Sequence, residues 1–157
     1  MNAIAIRRWR PEDTEELATL FKRTVREIAS RDYSADQIAA WAMGPDDFAE
    51  RMAARVTFVA VEGTRLVGFI QYEPPDHIDM TYVHAERQNM GVATALLKAL
   101  EDEARSRNVP TLRVEASITA RPFFEKRGYA VIAQQIVHAR GAAFVNYRMG
   151  KTLAESA

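Results

Sequence analysis

The chain contains no cysteine among its 157 residues. This absence excludes disulfide bonds, thiolate nucleophiles, acyl-cysteine intermediates and cysteine-ligated zinc. An excess of charge of either sign is also absent, because 21 Lys and Arg residues balance 21 Asp and Glu residues. A neutral total gives no electrostatic reason to expect a nucleic acid partner. Chemistry passed directly between small substrates is the class of function left most open.

Long apolar runs are missing as well. No stretch approaches the roughly 20 residues that span a bilayer, and Arg7 interrupts the N-terminus too early for the apolar region of a secretory signal. We therefore expect a cytoplasmic protein without a membrane partner. The length and the 48% hydrophobic content predict one domain over residues 1–150, followed by a frayed tail over residues 151–157.

The spacing of apolar residues predicts the order of secondary structure elements. Helical spacing dominates the first third of the chain, and a period of two begins after Arg55. Ser34 and Asp46 are suited to cap the second and third helices. The order is β-α-α-α-β-β-β-α-β-α-β-β, an α/β (α+β) protein. We predict strands over residues 4–9, 57–62, 66–72, 78–83, 112–116, 129–137 and 144–149, and helices over residues 12–29, 35–43, 47–54, 91–107 and 121–127.

A polar turn before the fourth helix is the strongest candidate for a ligand site. In Gln88-Asn89-Met90-Gly91-Val92-Ala93, Gly91 allows the backbone to approach a ligand, and the small Ala93 leaves the helix start uncrowded. Unpaired N–H groups and the helix dipole attract phosphate at such a terminus, so the turn is predicted to hold a diphosphate. A helix that merely starts after a turn is the alternative. The chain contains neither a P-loop nor a Rossmann glycine pattern.

A second motif follows downstream, in which Ala116-Ser117 precede Phe123-Phe124-Glu125-Lys126-Arg127-Gly128-Tyr129. Together with the turn it resembles the GCN5-related N-acetyltransferase (GNAT) family, which carries Arg/Gln-x-x-Gly-x-Gly/Ala and, later, A-S…F-Y-E-K-x-G-F. The resemblance covers essentially the whole domain and implies a mixed, mostly antiparallel sheet of about seven strands flanked by helices. It also implies acetyl-coenzyme A as the acyl donor, no metal, and a small amine or an exposed protein amino group as the acceptor. Family members are often dimers, so a homodimer is open.

The resemblance also assigns residues to the donor. The neighbouring strand over residues 112–116 is expected to splay and admit the pantetheine arm. Thr119 stands where the family often has an asparagine near the cofactor, although it is equally suited to cap the next helix. Phe124 replaces the tyrosine that often protonates the thiolate, so either water, Ser117 or a remaining tyrosine is the acid, or the thiolate leaves without a dedicated acid. The implied donor contacts are the backbone of Thr81, Tyr82 and Val83 for pantetheine, and Gln88, Asn89, Met90, Gly91, Val92, Ala93 and Thr94 for the diphosphate.

Acetyl transfer to an amine requires a base for the amine proton and a way to stabilise the oxyanion. Asp79 and His77 lie two residues apart, hence on one face of a regular strand, and Glu115 lies on the next strand. Asp79 is the preferred base. Each candidate has a structural alternative: Asp79 bonded to an amide or an arginine, His77 as a solvated loop residue, and Glu115 paired with Arg113 or Arg121.

Tyr33 and Trp41 are the candidate acceptor-binding residues, because the segment between the first two strands usually forms one wall of the acceptor site in this family. Trp41 also fits an apolar helical stripe that faces a core. The leading hypothesis is an acetyl-coenzyme A-dependent N-acetyltransferase that works by direct attack in a ternary complex. The alternatives are a catalytically silent coenzyme A-binding sensor or assembly module, motivated by Phe124, and a transferase of a longer acyl group.

Overall fold

The structure, a computed structural model, describes residues 3–153, which form seven strands, five α-helices and three short 3-10 helices. The strands are β1 (Ile4–Arg8), β2 (Val56–Glu62), β3 (Arg65–Glu73), β4 (His77–Val83), β5 (Thr111–Ser117), β6 (Ala130–Ala139) and β7 (Ala142–Thr152). The helices are α1 (Thr14–Glu27), α2 (Ala35–Ala42), α3 (Phe48–Ala54), α4 (Val92–Ser106) and α5 (Arg121–Lys126).

The strands form a single sheet in the order β1-β2-β3-β4-β5-β7-β6. Only the central pair, β4 with β5, is parallel, and the other neighbours are antiparallel. The predicted fold class and element order are therefore confirmed. Within residues 3–153 no helix is both long and apolar enough to cross a membrane.

The helices cover both faces of the sheet, and the sheet separates the core into two clusters. Leu96 and Leu100 of α4 pack on one face, whereas Leu17 and Phe21 of α1 pack on the other. Each such side chain contributes roughly 1.5–3 kcal/mol when fully buried. On β3, a Cβ atom at Gly68 would lie 3.0 Å from a backbone carbonyl and 3.2 Å from Leu96 Cδ1. The missing side chain at this position therefore lets α4 approach the sheet closely.

The helix starts follow the predicted chemistry in one case and depart from it in another. Ser34 caps α2, because its Oγ accepts a hydrogen bond from the Gln37 amide at 3.2 Å. The prediction that Asp46 caps α3 is wrong: Asp47 occupies the N-cap, and no side chain caps the helix. The Asp47 carboxylate instead accepts a hydrogen bond from Arg51 Nε at 2.7 Å. The Asp47 side chain therefore pairs with an arginine one helical turn away and not with the first amides of α3.

The end of the chain is more ordered than the sequence predicted. Lys151 and Thr152 belong to β7 and pair with β5, so a frayed tail beginning at residue 151 is wrong. Lys151 Nζ donates to the buried carboxylate of Glu101 at 3.0 Å, and Leu153 is buried. These contacts bind the strand end to α4. The rest of the predicted tail, residues 154–157, lies outside the described residues.

Candidate active site

A cleft forms at the centre of the sheet because β4 and β5 separate soon after they meet. The two strands pair at only two positions, His77 with Arg113 and Ile78 with Val114. Both strands continue beyond these pairs, so among the described residues the side of residues 81–83 that faces β5 has no strand partner. The Val83 carbonyl accepts a hydrogen bond from Gln88 Nε2 at 2.6 Å. The splay that the resemblance implied is therefore present. An extended ligand can add to such an edge as a further strand.

The space between the strands has a volume of about 750 Å³, which lies within the usual range of small-molecule ligand pockets. Met90 is the exception among the predicted donor residues, because it is not part of the lining and is 45% exposed. The others all line the cleft: Thr81, Tyr82, Val83, Gln88, Asn89, Gly91, Val92, Ala93, Thr94, Thr119 and Phe124.

The turn before α4 has the geometry of an anion site. Gly91 is the N-cap of α4 in the left-handed region, with φ of 82°, and a Cβ atom there would meet nothing within 4 Å. Within residues 3–153 no side chain caps the helix, and its first turn contains no acidic residue. Because first-turn N–H groups lack intrahelical partners, those of Val92 and Ala93 are available to a ligand in the cleft. This geometry agrees with a diphosphate at this terminus.

Arg127 adds a positive charge that the sequence analysis did not assign. Its Nη2 donates to Thr94 Oγ1 at 2.5 Å, its guanidinium lies 4.5 Å from the Phe123 ring centroid, and it lines the cleft. No described carboxylate lies within ion-pair distance of it, whereas Arg87 is held by both oxygens of Glu62 at 2.8 and 2.6 Å. The adjacent basic residues Lys126 and Arg127, near the end of the second motif, were the sequence signal that could have identified Arg127.

His77 connects two acidic side chains at the point where the strands part. Its Nδ1 lies 2.9 Å from Glu73 Oε1, and its Nε2 contacts Glu115. Its side chain is only 13% exposed, so the solvated-loop alternative is wrong. Glu115 also lies 3.5 Å from Arg113, and it lines the cleft, whereas His77 does not. The arrangement suits His77 to a relay behind Glu115 better than to direct contact with a substrate.

Asp79 occupies a β-bulge. Opposite β3, Ile78 faces Tyr72 and Met80 faces Gln71, which leaves Asp79 as the extra residue. The bulge interrupts the alternation of side chains: Ile78 packs in the cluster beneath α4, and Met80 packs in the cluster beneath α1. The regular strand assumed in placing His77 and Asp79 on one face therefore does not exist here, and the two side chains contact different neighbours.

The arginine alternative for Asp79 is observed. Its Oδ2 contacts Arg55, the C-cap of α3, and lies 3.6 Å from Arg51 Nη1. Its Oδ1 has no hydrogen-bond partner among residues 3–153, and the side chain, 20% exposed, lines the cleft. Asp79 is thus held by two arginines through one oxygen, and its other oxygen remains available.

Phe124 is a core residue, 2% exposed. Among the candidate acids in the cleft, the hydroxyls of Tyr82 and Ser117 accept hydrogen bonds from Trp41 Nε1 at 3.1 Å and from the Ala120 amide at 3.0 Å. Burial raises the pKa of Tyr82 well above its usual value, so its hydroxyl stays protonated and is a weak acid. The tyrosines whose hydroxyls already donate within the protein are Tyr33 to Val145, Tyr72 to Pro75 and Tyr129 to Glu101.

An aromatic wall made of Tyr33, Trp41 and Phe144 closes one side of the cleft. The ring centroids lie 5.3 to 6.3 Å apart. The Tyr33 hydroxyl accepts from the Ile118 amide at 2.9 Å, and Thr119 Oγ1 donates to Asp32 at 2.8 Å. Thr119 therefore does not cap α5, and it fixes this wall to the loop after β5. Trp41 is half-buried and lies at the edge of a core cluster as well as in the cleft.

Comparison with known proteins covers the same region. Residues 29–151 match a family model described as an acetyltransferase (GNAT) domain. The chain is 41% identical over 150 residues to the uncharacterized N-acetyltransferase YafP of Escherichia coli (strain K12), with 95% of this chain and 96% of that protein covered. A GCN5-related N-acetyltransferase of Rhodopseudomonas palustris is 38% identical, and its crystal structure superposes with a TM-score of 0.93 over 98% of each chain. The PaiA N-acetyltransferase of Thermoplasma acidophilum, crystallised with coenzyme A, is 17% identical with a TM-score of 0.80, over 96% of this chain and 99% of that one.

Proposed function

Because the chain belongs to the GNAT acetyltransferase family, we propose that it transfers an acetyl group from acetyl-coenzyme A to a primary amine. The acceptor is a small molecule or an exposed protein amino group. The observation that carries the proposal is one cleft that contains both an uncapped helix N-terminus and an unpaired strand edge, with Asp79 in its lining. Since the chain has no cysteine to carry an acetyl group, the amine attacks the donor directly in a ternary complex.

The cleft residues fit the donor. The open edge of residues 81–83 suits the amide groups of pantetheine, and the first turn of α4 with Arg127 suits the diphosphate. Asn146 Oδ1 is a buried acceptor in the cleft lining without a partner among the described residues, which an amide N–H would satisfy. That a protein of the same fold was crystallised with coenzyme A agrees with this donor.

The donor supplies a thioester carbonyl carbon, to which the amine nitrogen bonds while the bond from carbon to sulfur breaks. In our proposal Asp79 accepts the amine proton at Oδ1, directly or through water. Glu115 is the alternative base, with His77 and Glu73 leading the proton to the surface. The hydroxyl of Ser117 or Tyr82 is available to donate a hydrogen bond to the leaving sulfur, which takes its proton from water, since Phe124 has no proton to give.

The first test measures binding and transfer separately. Titration calorimetry with acetyl-coenzyme A and coenzyme A tests the donor site, and release of free thiol in the presence of amines tests transfer. A thiol reagent reads coenzyme A without background, because the protein has no cysteine. Micromolar binding with amine-dependent thiol release supports the proposal. Binding without transfer to any amine would favour the silent module, and faster release from a longer acyl-coenzyme A would favour that donor.

A second test distinguishes the candidate bases. We expect Asp79→Asn to lower kcat far more than it weakens donor binding and to change the pH dependence of kcat, because the isosteric amide cannot take a proton. Glu115→Gln is the matched variant on the opposite strand. Unchanged turnover and pH dependence in Asp79→Asn, with a large loss in Glu115→Gln, would transfer the role of base to Glu115.

A further inference from the structure

A smaller cavity of about 230 Å³ adjoins the cleft on the side of α2 and α3. Four residues line both spaces, namely Trp41, Asp79, Tyr82 and Arg140. A molecule in the smaller cavity therefore meets the candidate base at the point where it also enters the cleft. This position suits an acceptor that approaches the donor from the opposite side.

Arg140 is the charged residue of this cavity that the proposed chemistry does not use. It lies in the turn between β6 and β7 with φ of 49°, an uncommon conformation for a residue with a side chain. Its Nη2 contacts the carbonyl oxygen of Gly44, in the loop after α2. None of the described carboxylates lies within ion-pair distance of Arg140. A guanidinium has five N–H donors in a planar fork, so one carbonyl leaves most of them available.

The other charges of the cavity are already paired. Arg51 binds Asp47 at 2.7 Å and lies 3.6 Å from Asp79, which also contacts Arg55. An ammonium group that enters here meets an aspartate shared between two arginines, whereas a carboxylate meets the guanidinium of Arg140. An acceptor held by a carboxylate also leaves its amine free to lose a proton, and only the neutral amine is nucleophilic.

The aromatic wall determines which kind of structure can connect the amine and the carboxylate of such an acceptor. The Tyr33 hydroxyl both donates and accepts within the protein, and the indole N–H of Trp41 is used by Tyr82. The wall therefore presents ring surface more than hydrogen-bonding groups, which favours an apolar body.

We infer that the acceptor is an amine that also carries a carboxylate, which Arg140 binds while an apolar body contacts the aromatic wall. This inference rests on the proposed acetyltransferase function and specifies its substrate class. Charge-assisted and bidentate pairing of a guanidinium with a carboxylate gives both affinity and orientation.

The test uses pairs of amines that differ only in charge. The first pair is para-(aminomethyl)benzoate and its neutral, isosteric carboxamide, and the second pair is γ-aminobutyrate and its carboxamide. Binding to the coenzyme A complex is followed by calorimetry, and transfer is followed by thiol release. The variants are Arg140→Gln, Arg140→Lys and the control Arg26→Gln, an exposed arginine of α1 outside both cavities. Thermal unfolding and coenzyme A binding verify that each variant is folded.

We expect the wild type to bind the carboxylate of at least one pair roughly tenfold or more tightly than its carboxamide. Arg140→Gln should reduce this ratio to near one without weakening the carboxamide, and Arg140→Lys should retain part of it. Equal binding within both pairs, or a ratio that survives Arg140→Gln, overturns the inference. Transfer is judged separately. Carboxylate-selective binding without thiol release supports this site and contradicts the proposed catalysis, whereas transfer without charge selectivity supports the proposed catalysis and contradicts this site.

Discussion

Gly91 offers a test in which protein stability and ligand affinity move in opposite directions. A side chain here meets no atom within 4 Å, so the strain of Gly91→Gln and Gly91→Glu comes from the left-handed backbone, with φ of 82°. That strain costs about 1–2 kcal/mol in either variant. The Glu carboxylate then regains about 0.3–1 kcal/mol, because it sits at the positive end of the α4 dipole. Gly91→Glu should therefore unfold at a higher temperature than Gly91→Gln.

Coenzyme A binding should show the reverse order. A carboxylate about 5 Å from the two charges of a diphosphate, at an effective dielectric constant of about 40, costs about 3 kcal/mol. This repulsion corresponds to binding roughly 150-fold weaker than that of Gly91→Gln. Added salt should narrow the difference, since the charges are partly exposed to solvent.

The assays are thermal unfolding by circular dichroism and calorimetric titration with coenzyme A. Gly141→Glu is the matched control, because Gly141 also has a left-handed φ, 78°, with nothing within 4 Å of an added Cβ, and lies in the turn after β6. It should lose stability and retain coenzyme A affinity. If Gly91→Glu binds coenzyme A as tightly as Gly91→Gln, the diphosphate does not lie at this helix terminus, and the placement of the donor is refuted.

Three further predictions concern the fold. Arg7 holds the pKa of Asp13 below its usual value, so the folded state binds fewer protons than the unfolded state. The stability that the pair contributes is therefore complete above about pH 3.9, and it is lost as the pH falls through the lowered pKa. Arg7→Gln should flatten that acid limb in melting curves, and an identical limb contradicts it. Lys151→Met should cost about 1–3 kcal/mol by leaving the buried Glu101 short of a partner, and Glu101→Gln in the same chain should recover part of the melting temperature. Gly68→Ala should cost about 1–3 kcal/mol and weaken coenzyme A binding, because the new Cβ displaces α4; unchanged melting and affinity would show that the helix adjusts freely.

The sequence predicted well those features that depend on neighbours along the chain. The apolar stripe of α4 recurs with helical period, and its residues Leu96, Leu97 and Leu100 are all buried. Ser34 caps α2 through an amide three residues away. The turn before α4 was identified for the same reason, since Gly91 and the helix that follows are adjacent in sequence.

The features that were missed depend on the sheet or on distant contacts. The bulge at Asp79 arises from the register between two strands, which the alternation of one strand does not reveal. Arg127 reaches Thr94 across 33 residues, and the Tyr33 hydroxyl reaches Val145 across 112. Arg55 and Arg51 contact Asp79 only in the folded chain, because Asp79 follows them by more than 20 residues in sequence. Local patterns therefore predicted which residues gather at the cleft but not the partners of their side chains.

The splay between β4 and β5 has a mechanical consequence. The two halves of the sheet, β1 to β4 and β5 to β7, are joined at the centre by only two residue pairs, so the connection between them is short. A ligand that adds to the open edge of β4 would extend the hydrogen bonding at this connection and make it more rigid. Amide hydrogens of residues 81–83 should therefore exchange more slowly in the complex. Release of coenzyme A would then have to break these added hydrogen bonds, which makes product release, and not only the chemistry, a candidate for the slow step of each turnover.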